Sequence, residues 1–380
     1  MRIVLRATTL LSVSLLLLII AAKGVGPFLS RGVLAFTVGN TGPLNVAVMD
    51  VATQITRIVG DPVLVNYHPS WSPDGRWLSY KSISSEPDER AYRGFVVLDM
   101  HTGHRFSTPG FSDGDFAWSP DSTHMVHYDR ARLYVLNVAT EKSVSLVRHP
   151  ESGPPGYAWA PDGDHVSYVI PGDRMDIAPV YLFDVDTHTA THIIDVIPFN
   201  TLHRWSPDGQ YILFDDGAIP DSMPSQLFHV ESGALTEPNM PRNAWAHVWA
   251  PNASEITYIM QNGADRSSFI TYRYDMTMDA TQPEPELPVE GFQTPYWSSN
   301  GRYVARQAAD GTFTVTVSDV ETGDARSYEA VRFMRWLPDG EYLLMGGSDG
   351  VVRRVAAVDG AAQAVPLPAE AVMNSLAWQP

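Results

Sequence analysis

The sequence predicts an all-β protein: a single β-propeller of four-stranded blades over residues 31–380, preceded by an N-terminal hydrophobic helix. Eight blades are expected, with seven as the alternative. Three observations carry this expectation. A Trp-led signature recurs with a period near 44 residues, the size of a four-stranded blade. The runs between signatures are short, β-rich and bounded by turn residues, with no long window of helical periodicity after the first thirty residues. The chain also ends on a partial repeat that supplies what its beginning lacks.

The signature reads Trp71-Ser72-Pro73-Asp74-Gly75 in its first copy and Trp205-Ser206-Pro207-Asp208-Gly209 in its fourth. Further copies start at Trp118, Trp159, Trp249, Trp297 and Trp336, and an eighth begins at Trp378 just before the chain stops. Successive tryptophans are 47, 41, 46, 44, 48, 39 and 42 residues apart. Ser-Pro-Asp-Gly suits a type I turn, because Pro presets φ, Ser accepts hydrogen bonds at the first position and Gly fits the last. The Trp offers a large apolar face for packing between blades, with an indole N–H to be satisfied near the turn. Two copies depart from the pattern: Trp249 leads Ala-Pro-Asn-Ala and Trp297 leads Ser-Ser-Asn-Gly.

Each signature is followed by an apolar strand such as Tyr342-Leu343-Leu344-Met345 and a second run such as Val180-Tyr181-Leu182-Phe183-Asp184. A polar turn such as Val320-Glu321-Thr322-Gly323-Asp324 and a short outer strand complete the unit. The N-terminus supplies three strands, beginning at Val33, Leu44 and Ile55, and the C-terminus supplies an innermost one, Val372–Trp378. Joined, they make one blade that closes the ring and removes an exposed edge. Seven internal periods plus this shared blade give eight.

Residues 1–30 form a separate unit. Arg2 and Arg6 precede a run from Ala7 to Ala22 with Leu15-Leu16-Leu17-Leu18-Ile19-Ile20 at its centre. A basic start before an apolar segment marks a signal anchor or a cleaved signal peptide, and either one exports the rest of the chain. The expected location is therefore outside the cytoplasm: membrane-anchored, or periplasmic or secreted if the signal is cleaved. The formal net charge of −17 repels phosphate backbones and argues against nucleic-acid partners. With no cysteine, disulfides, thiolate metal sites and Cys nucleophiles are excluded.

The recurring Trp-Ser-Pro-Asp-Gly, its apolar strands and the Asp-x-x-Thr-Gly turn resemble the WD40-like repeat of TolB-type β-propellers. They are also similar to the propeller modules of tricorn protease and the prolyl oligopeptidases. The resemblance covers roughly residues 33–380. It implies that partners bind at the loops and mouth of the central channel. No hydrolase domain is expected beside the propeller.

Candidate sites lie where the copies disagree. His203 and His247 stand two residues before their tryptophans, at positions that hold Pro69, Phe116, Tyr157, Pro295, Met334 and Leu376 elsewhere. Some propellers with this repeat, those similar to oligogalacturonate lyases, place a His-ligated metal in the channel. Two histidines are fewer than such a site needs, and no metal, cofactor or catalytic residue is assigned. Tyr157, Trp245, Tyr296, Arg332 and Arg335 lie on or just before inner strands. Aromatic residues and arginine are favoured at binding hot spots, so these five and the two histidines are the expected binding residues at the channel mouth. Gly346-Gly347-Ser348-Asp349-Gly350 fits a nucleophile-elbow pattern, but strands flank it and no His comes after it, so a hairpin turn is expected. Asp184-Val185-Asp186-Thr187-His188 is expected to be a turn with solvated acids rather than a metal cluster. The Pro-rich Asp279–Gly291 is expected to be a loop, as are Ser84–Arg93 and Gly217–Ser225.

Three functions are expected, in order of preference. The first is an exported, membrane-tethered scaffold that binds a protein or surface ligand. The second is a polysaccharide lyase or hydrolase-type enzyme with a metal at the channel mouth. The third is a structural subunit of an envelope complex.

Overall fold

The computed structural model describes residues 32–39, 43–84, 93–109, 116–128, 132–148, 156–169, 178–196, 202–215, 224–262, 265–290, 295–307, 313–329, 331–368 and 371–378. The expected N-terminal anchor and linker lie outside the described residues. So do most of the Ser84–Arg93 and Gly217–Ser225 segments. Among the described residues no helix is long and apolar enough to cross a membrane.

The described strands form eight antiparallel sheets of four strands each, arranged as the blades of a propeller. Blades 1 to 7 follow chain order, starting at Leu64, Phe116, Tyr157, Leu202, Trp245, Tyr296 and Val331. Blade 8 pairs the C-terminal strand Ala371–Trp378 with Val33–Val38, so that Leu34 faces Trp378 and Phe36 faces Leu376. The two ends of the chain are thus hydrogen-bonded into one sheet, as the repeat arithmetic predicts.

The core is radial. Among the described residues the buried apolar clusters are each drawn from two neighbouring blades. One joins Leu34, Phe36 and Met49 of blade 8 to Leu344 and Val352 of blade 7. Another joins Leu213 and Leu227 of blade 4 to Ile256, Tyr258 and Tyr274 of blade 5. This pattern comes from period 2: successive side chains of each strand point to opposite sheet faces, and each face meets a different neighbour.

The repeat signature is a hydrogen-bonded turn. Ser206 Oγ donates to Asp208 at 2.6 Å and accepts from the Tyr211 N–H at 2.9 Å. Asp208 in turn accepts the Gln210 N–H at 3.1 Å. Gly209 sits at φ +73°, the left-handed region that Gly enters without a Cβ penalty. Ser122 and Ala253 occupy the same place in their copies at φ +67° and +59°.

The indole N–H is satisfied by the preceding blade, not by its own turn. Trp71, Trp159, Trp249 and Trp336 donate to the carbonyls of Ala377, Ala117, Arg204 and Tyr296, at 2.8–3.2 Å. In each case the acceptor is the residue just before the Trp of the preceding blade. Trp118 and Trp205 reach the same carbonyl through a hydroxyl. They donate to Ser79 and Ser167, which donate onward to Ser70 O and Ala158 O. The indole N–H of Trp297 is buried without a partner, and so is the Thr257 hydroxyl at the position of those serines. The side chain of Trp378 lies outside the described residues.

The Pro-rich stretch is a strand, which corrects the loop expectation. Ala280–Glu290 is the outer strand of blade 5, with Tyr272 opposite Pro283 and Ile270 opposite Pro288. An outer strand has one unpaired edge, so a residue without an N–H is tolerated there. The other two turn expectations hold. In Gly346–Gly350, the Gly350 N–H bonds to Gly347 O at 3.1 Å and the Gly347 N–H to Val351 O at 3.0 Å. Asp184 accepts the Thr187 N–H at 2.8 Å, which closes that turn.

Candidate functional site at the channel mouth

The strand order gives the ring two unlike faces. One carries the turns from first to second strand, which in blades 1 to 7 are all five residues long, and the third-to-fourth turns, four or five residues long. The other carries the second-to-third connections, from two residues (263–264) to ten (216–225), and the links between blades, from two to eight. Sequence variation therefore gathers on the second face, where each inner strand begins.

On the inner strands, position relative to the Trp decides direction. The Trp and the residue two before it point towards the preceding blade. The residue one before it points towards the next. His203 donates from Nε2 to the Ser167 carbonyl in blade 3 at 3.2 Å and is only 8% exposed. Burial pushes its pKa down to about 4, so it is neutral at physiological pH. His247, 1% exposed, points back into blade 4. Its Nδ1 lies 3.2 Å from Asp215 Oδ2, out of line for a hydrogen bond, and its Nε2 lies 3.4 Å from Ser225 Oγ.

The two histidines therefore serve different seams, blade 3 with 4 and blade 4 with 5. They do not converge on one point. Among the described residues no group of three or more His, Asp or Glu side chains is placed to hold a metal. The described residues of this arrangement do not form a channel metal site. Tyr157 packs in the cluster between blades 2 and 3. The side chains of Trp245 and Arg332 lie outside the described residues.

The residues just before the Trp also differ. They are Ser70, Ala117 and Ala158 in blades 1 to 3, Arg204 in blade 4, Val248 in blade 5, Tyr296 in blade 6 and Arg335 in blade 7. Tyr296 is 48% exposed and Arg335 is also exposed. Trp336, next to Arg335, donates to the Tyr296 carbonyl at 2.8 Å, so the two exposed residues stand on adjoining inner strands.

Arg204 is a residue that sequence reasoning missed. Its Nη1 donates to Asp215 Oδ2 at 3.1 Å and to the His247 carbonyl. Asp215 is buried, and its second oxygen, Oδ1, has no hydrogen-bond partner. The available signal was the recurrence of Arg directly before the Trp in two copies, Arg204 and Arg335.

These features define a class: an eight-bladed β-propeller with a uniform turn face and a variable face around the channel. No family model matches the chain. Its sequence is 22% identical over 301 residues to an uncharacterised protein of Agrobacterium fabrum, covering 69% of this chain and 92% of that protein. A crystal structure of the eukaryotic initiation factor superposes with a TM-score of 0.64 at 13% identity, covering 92% of this chain and 98% of the other. Oligogalacturonate lyase in complex with manganese superposes at 0.57 and 12% identity, covering 89% and 98%. TolB structures are also among the neighbours, that from Acinetobacter baumannii at a TM-score of 0.43. Likeness at these identities shows the propeller fold alone.

Proposed function

We propose that the protein is an exported, membrane-tethered β-propeller that binds a protein partner at the mouth of the channel over blades 6 and 7, at the end where the inner strands run into the uniform turns. One observation carries the reading. Tyr296 and Arg335 are exposed side by side at the repeat position that is Ser or Ala in blades 1 to 3. Interface hot spots are enriched in Tyr and Arg, which combine contact area with directional hydrogen bonds at modest entropic cost. The basic-then-apolar segment from Arg2 to Ala22 supports export and tethering. The test is affinity capture with the full chain from detergent-solubilised envelope membranes. The wild type should retain a partner at fixed ratio, and the double variant Tyr296→Ala, Arg335→Leu should lose it. Turnover of a sugar or peptide with no partner retained would contradict the reading.

A second, enzymatic reading has one observation in its favour, the series Ser225–His247–Asp215 at the seam of blades 4 and 5. A serine activated by such a histidine would react with a fluorophosphonate. Labelling abolished by Ser225→Ala would favour that reading, and no labelling would remove its support.

A further inference from the structure

Arg204 and Arg335 are one position of the repeat seen twice. Each directly precedes the signature Trp. Each lies opposite a leucine of the second strand, Leu213 and Leu344. Each donates from Nη1 to a carbonyl two residues before the Trp of the next blade: His247 O for Arg204, and Leu376 O, at 3.3 Å, for Arg335. Beyond this bond the two surroundings part. Two residues past Leu213 stands Asp215, whose carboxylate binds Arg204. Two residues past Leu344 stands Gly346, which has no side chain. Where blade 5 brings His247 to the seam, blade 8 brings Leu376. Arg335 thus keeps the bond that fixes its guanidinium, lacks the carboxylate that neutralises it, and is exposed. The chain carries 43 acidic residues against 26 basic ones, yet no described carboxylate pairs with this arginine.

We propose that Arg335 is a receptor for a carboxylate supplied in trans by an acidic segment of the partner, which takes the place that Asp215 fills beside Arg204. The proposal rests on the scaffold reading and names the chemistry of its partner. A guanidinium tethered at one nitrogen keeps its remaining N–H donors in a fixed plane, the geometry that carboxylates match. Tyr296 on the adjoining strand supplies an aromatic surface for the residue next to the acid. A polyphosphate backbone is disfavoured by the net charge of −17, whereas a short acidic segment engages one site without lying along the surface.

The test uses the purified full chain and three fluorescent peptides. The first is blocked at both ends with a central Glu-Leu-Glu. The second replaces both Glu by Gln. The third is the Gln peptide with a free C-terminal carboxylate. Anisotropy should show binding of the Glu peptide but not the blocked Gln peptide, weakened about tenfold or more by Arg335→Leu and partly by Arg335→Lys. Gly346→Asp should weaken it too, because it installs the carboxylate in cis. Binding of only the third peptide would assign the site to a chain terminus rather than an acidic side chain. Equal binding of the Glu and blocked Gln peptides, no binding of any carboxylate peptide, or binding unchanged in Arg335→Leu would overturn the proposal. If membranes yield a partner whose capture needs Tyr296 but not Arg335, the carboxylate proposal falls and the scaffold reading stands. If the peptide binds through Arg335 but no partner is captured, the reverse holds.

Discussion

The seam between blades 4 and 5 and the seam between blades 7 and 8 are built from the same repeat but finished differently. In the first, Arg204, Asp215, His247 and Ser225 form a closed polar group with a buried carboxylate at its centre. In the second, Arg335 makes the same bond to the next blade, and the remaining places are taken by Gly346 and Leu376. One arginine is committed to holding two blades together. The other is held by the fold and left open on one side. On the proposed reading, the repeat turns a structural position into a recognition position by removing one carboxylate.

The sharpest way to break this comparison is to make the first seam resemble the second. Asp215→Ala should cost on the order of 3 kcal/mol in urea unfolding, because it strips the buried charge partner from Arg204. Arg335→Leu should stay within about 0.5 kcal/mol of wild type, since an exposed guanidinium with a single carbonyl contact contributes little to the fold. Similar losses in both variants would end the distinction.

Acid should act beside the first region, at the adjoining seam of blades 3 and 4, and spare the second. His203, held neutral by burial near blade 4, has a folded pKa of about 4, below the ordinary value of 6.5. Between those values the unfolded chain binds the proton and the folded chain does not. The stability His203 supports is complete above pH 6.5 and is lost as pH falls towards 4, by roughly 3 kcal/mol. Unfolding midpoints for His203→Gln measured across pH 4 to 7 should be flatter than those of the wild type.

Much of this was legible in the sequence. The tryptophan spacing gives the blade count, and the orphan inner strand at Val372–Trp378 gives the closure. Both are local patterns repeated often enough to exclude coincidence. The bearing of His203 and His247 was not legible. Both sit on inner strands, as expected, but an inner strand presents its side chains mainly to the two neighbouring blades rather than to the channel. The Arg204–Asp215 contact was missed for a related reason: the two are brought together by strand register, which spacing alone does not set. The strand at Ala280–Glu290 was missed because prolines usually mark loops, and an outer edge is the exception.

The tryptophan bonds allow a finer comparison. Trp249→Phe removes an N–H that satisfies Arg204 O and should cost about 1–2 kcal/mol. Trp297→Phe removes a buried N–H with no partner and should cost clearly less in the same denaturant titration. The smallest effect is expected in the turns. Ala253→Gly relieves a left-handed residue and should raise stability by about 0.5–1 kcal/mol, read as a shift of the unfolding midpoint.

The central claim is that recognition resides at the inner-strand ends of blades 6 and 7, beside the uniform turns. Site-specific photo-crosslinking in intact membranes tests it most directly, with benzoylphenylalanine placed at position 296 in one protein and at position 63, in an exposed link of the opposite, variable face, in another. The account predicts a discrete crosslinked species from position 296, lost when Arg335→Leu is added, and none from position 63. A partner captured from position 63, or an adduct at 296 indifferent to Arg335, would contradict it.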